Sequence, residues 1–270
     1  MSVRSPSVAG TFYPGQPEEL RRAIDERLPR GPKERALAII VPHAGYVYSG
    51  KVAGAVYARV DVPGDVVLLC FNHRGVGRDF AVWREGVWLT PLGPAPVNTE
   101  LASAIKDAFL PADFDESGHL GEHSGEVQVP FLQRARPDVR ITPVALSVGL
   151  DARGFDQLRA FGRMLADLKR EFLVVASTDL NHYENQKTTL SKDQAAIDAI
   201  ERLDEAGLRD AIAKSEISMC GYAPTIATIA YAKARGASKA RTVMHATSGD
   251  ASGDYDKVVG YVGMIIPCGN

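Results

Sequence analysis

Cysteine is scarce in this chain: Cys70, Cys220 and Cys268 are all that 270 residues contain. So sparse and odd a count builds no disulfide framework and fits a reducing compartment. Long apolar runs are also missing. No stretch approaches the ~18 residues of a membrane span. The opening "MSVRSPSVAG" lacks the apolar centre of a signal peptide. A cytoplasmic protein with no membrane partner is therefore expected. Nor does one sign of charge dominate. Thirty-one Lys and Arg face 33 Asp and Glu, for a formal net charge of −2, with no block of like charge. That balance argues against a nucleic-acid-binding surface. The short basic clusters at 20–22 and 134–136 alternate with apolar residues and read as solvated helix faces. No repeat or low-complexity segment is present.

What is there is a regular alternation of two patterns. Apolar, β-branched runs at 36–41, 65–70, 141–148, 171–176, 241–247 and 258–266 predict strands. Between them, helical spacing of apolar residues predicts helices over 17–28, 49–60, 98–109, 154–170, 193–203, 205–215 and 224–236. Near-continuous apolar strands separated by helices indicate a sheet covered on both faces. The expected fold is α/β: one three-layer αβα domain over residues 1–270, with a mainly parallel central sheet. "FAVWREGVWLT" (80–90) alternates around Glu85-Gly86 and is expected to be a small hairpin appended to that sheet. "PLGPAPVN" (91–98) reads as a proline-rich loop.

Three strands end in the same grammar. "ALAIIV" runs into Pro42-His43, "DVVLLCF" into Asn72-His73-Arg74-Gly75, and "EFLVVA" into Ser177, Thr178, Asp179, Asn181 and His182. In open α/β sheets the ligand crevice lies beyond the carboxyl ends of the strands. Three imidazoles delivered there point to a metal or acid–base site, provided the strands are parallel neighbours. A single such histidine is more often a structural hydrogen bonder. In "EHSGEVQVPFLQ" (122–133), His123 and Glu126 are three apart and would share a helix face, either as a surface pair or with His123 reaching the crevice. Cys220, in "MCGYAP", stands at or just before a helix start, where a thiolate is favoured. Cys70 reads as a buried small hydrophobe and Cys268 as incidental. His119 and His245 have no compelling neighbour and read as structural. Tyr46, Tyr48 and Tyr222 lie beside these groups, as pocket lining or as plain wall packing.

Taken together, "SVAGTFYPGQPEEL", "VPHAGYVYSG", "NHRG", "GEHSGEVQVPFLQ", "STDLNHY", "MCGYAP" and "SGDASGDYDKVVGY" resemble the Memo-like family over nearly the whole chain. Its bacterial and archaeal members are called protein B of the AmmeMemoRadiSam system. The family is similar in fold to the class III extradiol dioxygenases, which hold Fe(II) with two histidines and a carboxylate. The resemblance implies His43 and His73 as metal ligands, with Cys220 in the carboxylate's place. It implies His182 as the acid–base histidine, with Asp179 close by, and His123 as a further histidine of the site. It also implies association with an AMMECR-like protein and a radical SAM enzyme.

Three functions are compatible with these residues. The first is a metal-dependent oxidoreductase of unknown substrate, with Fe(II) foremost and Cu or Zn as alternatives because thiolate and imidazole suit all three. Asp179 would orient an imidazole and His182 would move protons. The second is a binding module for an anionic or phosphorylated small molecule or peptide, held by the histidines and Arg74. The third is a zinc hydrolase.

Overall fold

The apolar runs of the sheet's centre, 36–41, 65–70, 141–148 and 171–176, form strands because they are buried on both sides, whereas 241–247 lies at the margin and is half-buried. The computed structural model describes residues 2–268. In chain order the strands are β1 (Val3–Arg4), β2 (Ala36–Val41), β3 (Asp65–Phe71), β4 (Phe80–Val82), β5 (Val87–Thr90), β6 (Gly93–Pro96), β7 (Ala112–Phe114), β8 (Arg140–Leu146), β9 (Leu173–Ser177), β10 (His182–Glu184), β11 (Arg241–Thr247) and β12 (Val258–Pro267). The helices are α1 (Pro17–Asp25), α2 (Gly50–Tyr57), α3 (Thr99–Ala108), α4 (Val129–Ala135), α5 (Ala152–Asp167), α6 (Gln186–Glu201), α7 (Glu205–Ser215), α8 (Tyr222–Ala234) and α9 (Gly249–Ser252).

The large sheet has the order β10-β12-β2-β9-β3-β8-β4-β7, with β11 on β12. Its centre, β2-β9-β3-β8, is all parallel. The strands that flank this centre, β12 and β4, are antiparallel to it. Alternate side chains of the central strands feed two cores. Ile40, Leu69, Val144 and Val174 pack on one face beneath α3, α5, α6, α7 and α8. Ile39, Leu68, Ile141 and Val175 pack on the other beneath α1, α2 and α4. The result is the expected three-layer αβα arrangement. Among the described residues no helix is long and apolar enough to cross a membrane.

Helix starts follow capping chemistry. The Asn98, Asp151, Asn185 and Asp204 side chains accept from backbone amides three residues on, satisfying donors that a helix start leaves open. Asn185 also corrects a boundary. The sequence pattern begins a helix at 193, but α6 starts at Gln186, because its first two turns are polar and threonine-rich and carry no apolar period.

A second correction concerns 80–90. Phe80–Val82 is not half of a hairpin. It is fully buried and joins the main sheet, antiparallel to β8. The appended hairpin is β5-β6, turning at Pro91-Leu92 inside the stretch read as loop. Glu85-Gly86 is instead where the N-terminal segment docks. Gly86 has φ +94, and a Cβ there would lie 1.8 Å from the Ser2 carbonyl oxygen. β1 then pairs in parallel with β5. The prolines of β6 sit on the edge of this small sheet, where a missing amide costs little.

The N-terminal segment is held by one buried carboxylate. Glu126 accepts from Arg4 Nη1 (2.8 Å), Ser7 N (2.8 Å), Val8 N (2.9 Å) and the Tyr13 hydroxyl (2.7 Å). Arg4 and Glu126 are each 1% exposed. Glu126 thus faces the N-terminal strap and shares no surface face with His123. Removing one partner of such a pair leaves a buried charge uncompensated, at a cost of about 3–5 kcal/mol. Glu126→Ala is expected to lower unfolding stability by that order in urea titration. A loss below about 1 kcal/mol, as for an exposed pair, would show that the strap is not anchored here.

Candidate metal centre

Adjacent parallel strands deliver their last residues to one rim. β2, β9 and β3 lie side by side, so His43, Ser177 with Asp179, and His73 emerge together. His123 comes from the segment leading into α4, and Cys220 from the turn before α8. The ring donor atoms of His43, His73 and His123 all lie within 4.8 Å of one another, a group able to hold a metal ion. His73 and His123 are stacked at 4.7 Å, and the His43 ring stands edge-on to both.

Hydrogen bonds decide which nitrogen of each ring is free. The Ser177 hydroxyl donates to the Ser124 carbonyl (2.6 Å) and accepts from Gln128 Nε2 (2.9 Å). With its proton so used, it can only accept from His43 Nδ1 at 3.1 Å. His43 Nε2 therefore carries a bare lone pair. Glu122 does the same for His73: Oε2 accepts the His73 amide (2.7 Å) and Oε1 its Nδ1 (3.0 Å). Oε1 also accepts the Ser124 amide (2.8 Å) and lies 3.4 Å from His123 Nδ1. Fixing one imidazole nitrogen so that the other can ligate is the usual second contact of a metal-binding histidine.

Burial, reinforced by the His123 and His73 rings, holds His43 well below the ordinary imidazole range. Burial also lowers His123, against the pull of Glu122. Neutral rings keep their lone pairs available. The two acids move in opposite directions. Burial alone would raise Glu122, but the His73 contacts and the Ser124 amide outweigh it and bring the carboxyl down to about 2. Asp179 is raised to about 7 by burial, against the bonds it accepts from the His43 and Ala44 amides. Its Oδ1 accepts the His43 amide at 2.8 Å, while Oδ2 stands 3.9 Å from His43 Nε2. Asp179 thus fixes the backbone of His43, and the ring orienters are Ser177 and Glu122.

Cys220 Sγ lies 3.2 Å from His43 Nε2 and accepts the Asp179 amide at 3.3 Å. The thiolate expected at a helix start is not favoured here. Burial, then the Asp179 charge, pushes the thiol up, and the residue stands two positions short of α8. His182 lies across the cleft, its amide bonded to the Ser218 hydroxyl (2.8 Å) and its Nδ1 to the Ser218 carbonyl (2.9 Å). A carbonyl only accepts, so Nδ1 holds the proton and Nε2 is the free nitrogen.

These groups line a cleft of about 730 Å³ with an apolar wall of Phe12, Tyr48, Tyr183, Val259 and Tyr261. Among the described residues no lysine or arginine lines it. Of the tyrosines read from sequence, Tyr48 lines the cleft. Tyr46 is buried, donating to the Val127 carbonyl, and Tyr222 packs on Phe71. Arg74 is exposed and turned to the Gly121 carbonyl (3.2 Å). His119 is buried against Trp83 and Trp88. Glu122 and Gln128 are contacts of this site that the sequence pattern did not single out, and Ser177 stood in the strand-end pattern without a role; the proximity of Glu122 to His123 was the visible signal for Glu122. Phe12, Tyr183 and Tyr261 lie in motifs that carry the family resemblance, but their segments are distant in sequence and nothing there showed that they meet.

A family model described as Memo-like protein matches residues 4–265. The chain is 42% identical over 270 residues to a MEMO1 family protein of Aquifex aeolicus, covering 98% of this chain and 99% of that one. It is 42% identical over 281 residues to a MEMO1 family protein of Thermotoga neapolitana, at 98% and 99% coverage. Among solved structures, an uncharacterized protein of Escherichia coli K12 superposes with a TM-score of 0.54 at 16% identity, over 86% of this chain and 100% of that one. That last likeness concerns the fold.

Two outcomes follow from the two carboxyls. Glu122→Gln is expected to weaken metal binding about 10–100-fold, as loss of an orienting partner does, measured by equilibrium dialysis; unchanged affinity would mean that Glu122 does not set the His73 ring. Asp179, raised in the folded state, binds more protons folded than unfolded between its ordinary 3.8 and about 7. Metal-free protein should therefore lose stability as pH rises through that window. Asp179→Asn should flatten this dependence in urea titrations on either side of it, and an identical slope in both proteins would contradict the assignment.

Proposed function

The chain belongs to the Memo-like family, and on that premise we propose that it is a metal-dependent oxidoreductase working in the histidine-lined cleft. One observation carries the reading: His43, His73 and His123 converge, with the Nδ1 protons of His43 and His73 fixed by Ser177 and Glu122. The donor set fits a first-row ion. Neutral imidazoles suit Fe, Cu and Zn, and Cys220 supplies a softer fourth donor beside His43. Fe(II) is the ion favoured here. Bound there, it would supply a redox couple and a Lewis acid.

The protein's own groups do the rest. His43, His73 and His123 would hold the ion, with Cys220 adjoining. His182 presents a free Nε2 to the cleft and takes or gives the substrate's proton. Asp179, raised to about 7 by burial and beside His43, can store a second proton in the same cleft. Phe12, Tyr48 and Tyr261 form an apolar wall that excludes water and seats a planar substrate. The anion-binding reading has less support, because among the described residues no lysine or arginine lines the cleft and Arg74 is engaged elsewhere.

Metal analysis of protein purified without oxygen, with spectra before and after air, tests this. A redox-active ion whose spectrum changes in air is expected, with metal retained in His182→Ala and lost in His43→Ala. Zinc with no change in air would favour the hydrolase; no retained metal would sink both.

A further inference from the structure

We propose that Asp193 and His245, neither of which touches the cleft, are positioning residues for His182, acting through Asn181 and Ser218. The inference deepens the proton-transfer role given to His182 above and rests on that reading.

The path is continuous. Asp193, on α6, is fully buried. Its Oδ2 accepts from His245 Nε2 on β11 at 2.9 Å, and its Oδ1 accepts from the Asn181 amide at 3.0 Å. Asn181 is also fully buried, and its side-chain carbonyl accepts from both the amide and the hydroxyl of Ser218, each at 3.2 Å. Ser218 then grips His182 twice, through its hydroxyl on the His182 amide and its carbonyl on Nδ1. The Nδ1–H form of His182, and hence the direction of its free Nε2, depends on where Ser218 is held.

Two independent features mark this path as built. Gly260 on β12 passes directly beside the buried acid, and a Cβ there would lie 1.9 Å from Asp193 Oδ2. The strand gives up a side chain to admit a carboxylate. Its amide and carbonyl also clamp Asn181 O and Leu180 N, each at 2.8 Å. In addition, Tyr183, next to His182, has φ +62. Such a conformation is strained for a bulky residue and persists only where its surroundings over-determine it. The Asn181–Ser218 grip supplies that constraint on one side.

The test uses the full chain loaded with Zn(II), a diamagnetic ion, with ¹⁵N-labelled histidine and the His182 signals identified by loss in His182→Gln. Wild type should show the Nδ1–H form. Asp193→Ala should release Ser218, so that the His182 Nδ1 proton exchanges with solvent roughly tenfold faster, the effect of one ordinary hydrogen bond, and a second tautomer becomes visible. His43 and His73 signals and zinc content should stay as in wild type. Asp193→Asn, which keeps an acceptor for the Asn181 amide, should restore the His182 signature. His245→Gln guards against a misfolded Asp193→Ala; it removes only the buried acid's imidazole partner and should give an intermediate shift. A His182 signature unchanged in every folded variant would overturn the proposal. The signature needs no turnover, so it stands apart from the oxidoreductase reading, which the anaerobic metal analysis judges.

Discussion

The insertion of β9 between β2 and β3 is the constraint on which the site depends. β2 and β3 are consecutive central strands, yet they do not pair; β9, more than 100 residues later in the chain, pairs in parallel with both. That placement sets Ser177 between His43 and the α4 segment, where its hydroxyl fixes the His43 ring. It also brings Asp179 under the His43 amide. Without β9 in the middle, the two strand-end histidines would lose their spacing, and His43 would lose its partner Ser177.

Two carboxyls in one cleft show how surroundings decide role. Glu122 gathers the His73 amide, the His73 ring and the Ser124 amide, and these donors keep it ionised despite burial. Asp179 has backbone donors and no cation close enough to pair, so burial dominates and its proton is held to near neutrality. One acid thus stays an anion bonded to the His73 ring, and the other keeps its proton up to near neutrality. Glu122 places negative charge beside the clustered imidazoles, which suits a cation there. The same charge disfavours a phosphorylated ligand.

Much of this was legible in the residues. The strand–histidine grammar named His43, His73 and His182, and the apolar runs predicted strands with small errors at their ends, because a strand buried on both faces has no competing pattern. What failed had physical causes. Phe80–Val82 looked like half a hairpin because alternation beside a glycine is ambiguous when both faces are buried. Glu126 looked like a surface partner of His123 because helical spacing cannot foresee an N-terminal strap with a buried arginine. The thiolate assigned to Cys220 rested on a helix start, and burial beside Asp179 outweighs that effect. The ring contacts of Glu122 and Ser177 were hidden because an orienting partner is recognised by the ring it touches, and that contact exists only in the folded chain.

The central claim is that imidazoles, His123 among them, hold the metal. X-ray absorption at the metal edge of anaerobically purified protein, wild type beside His123→Ala, addresses it most directly. The account predicts a first coordination shell dominated by imidazole scattering in wild type, with one imidazole fewer in the variant or the metal lost. A shell without imidazoles, or one identical in both proteins, would contradict it.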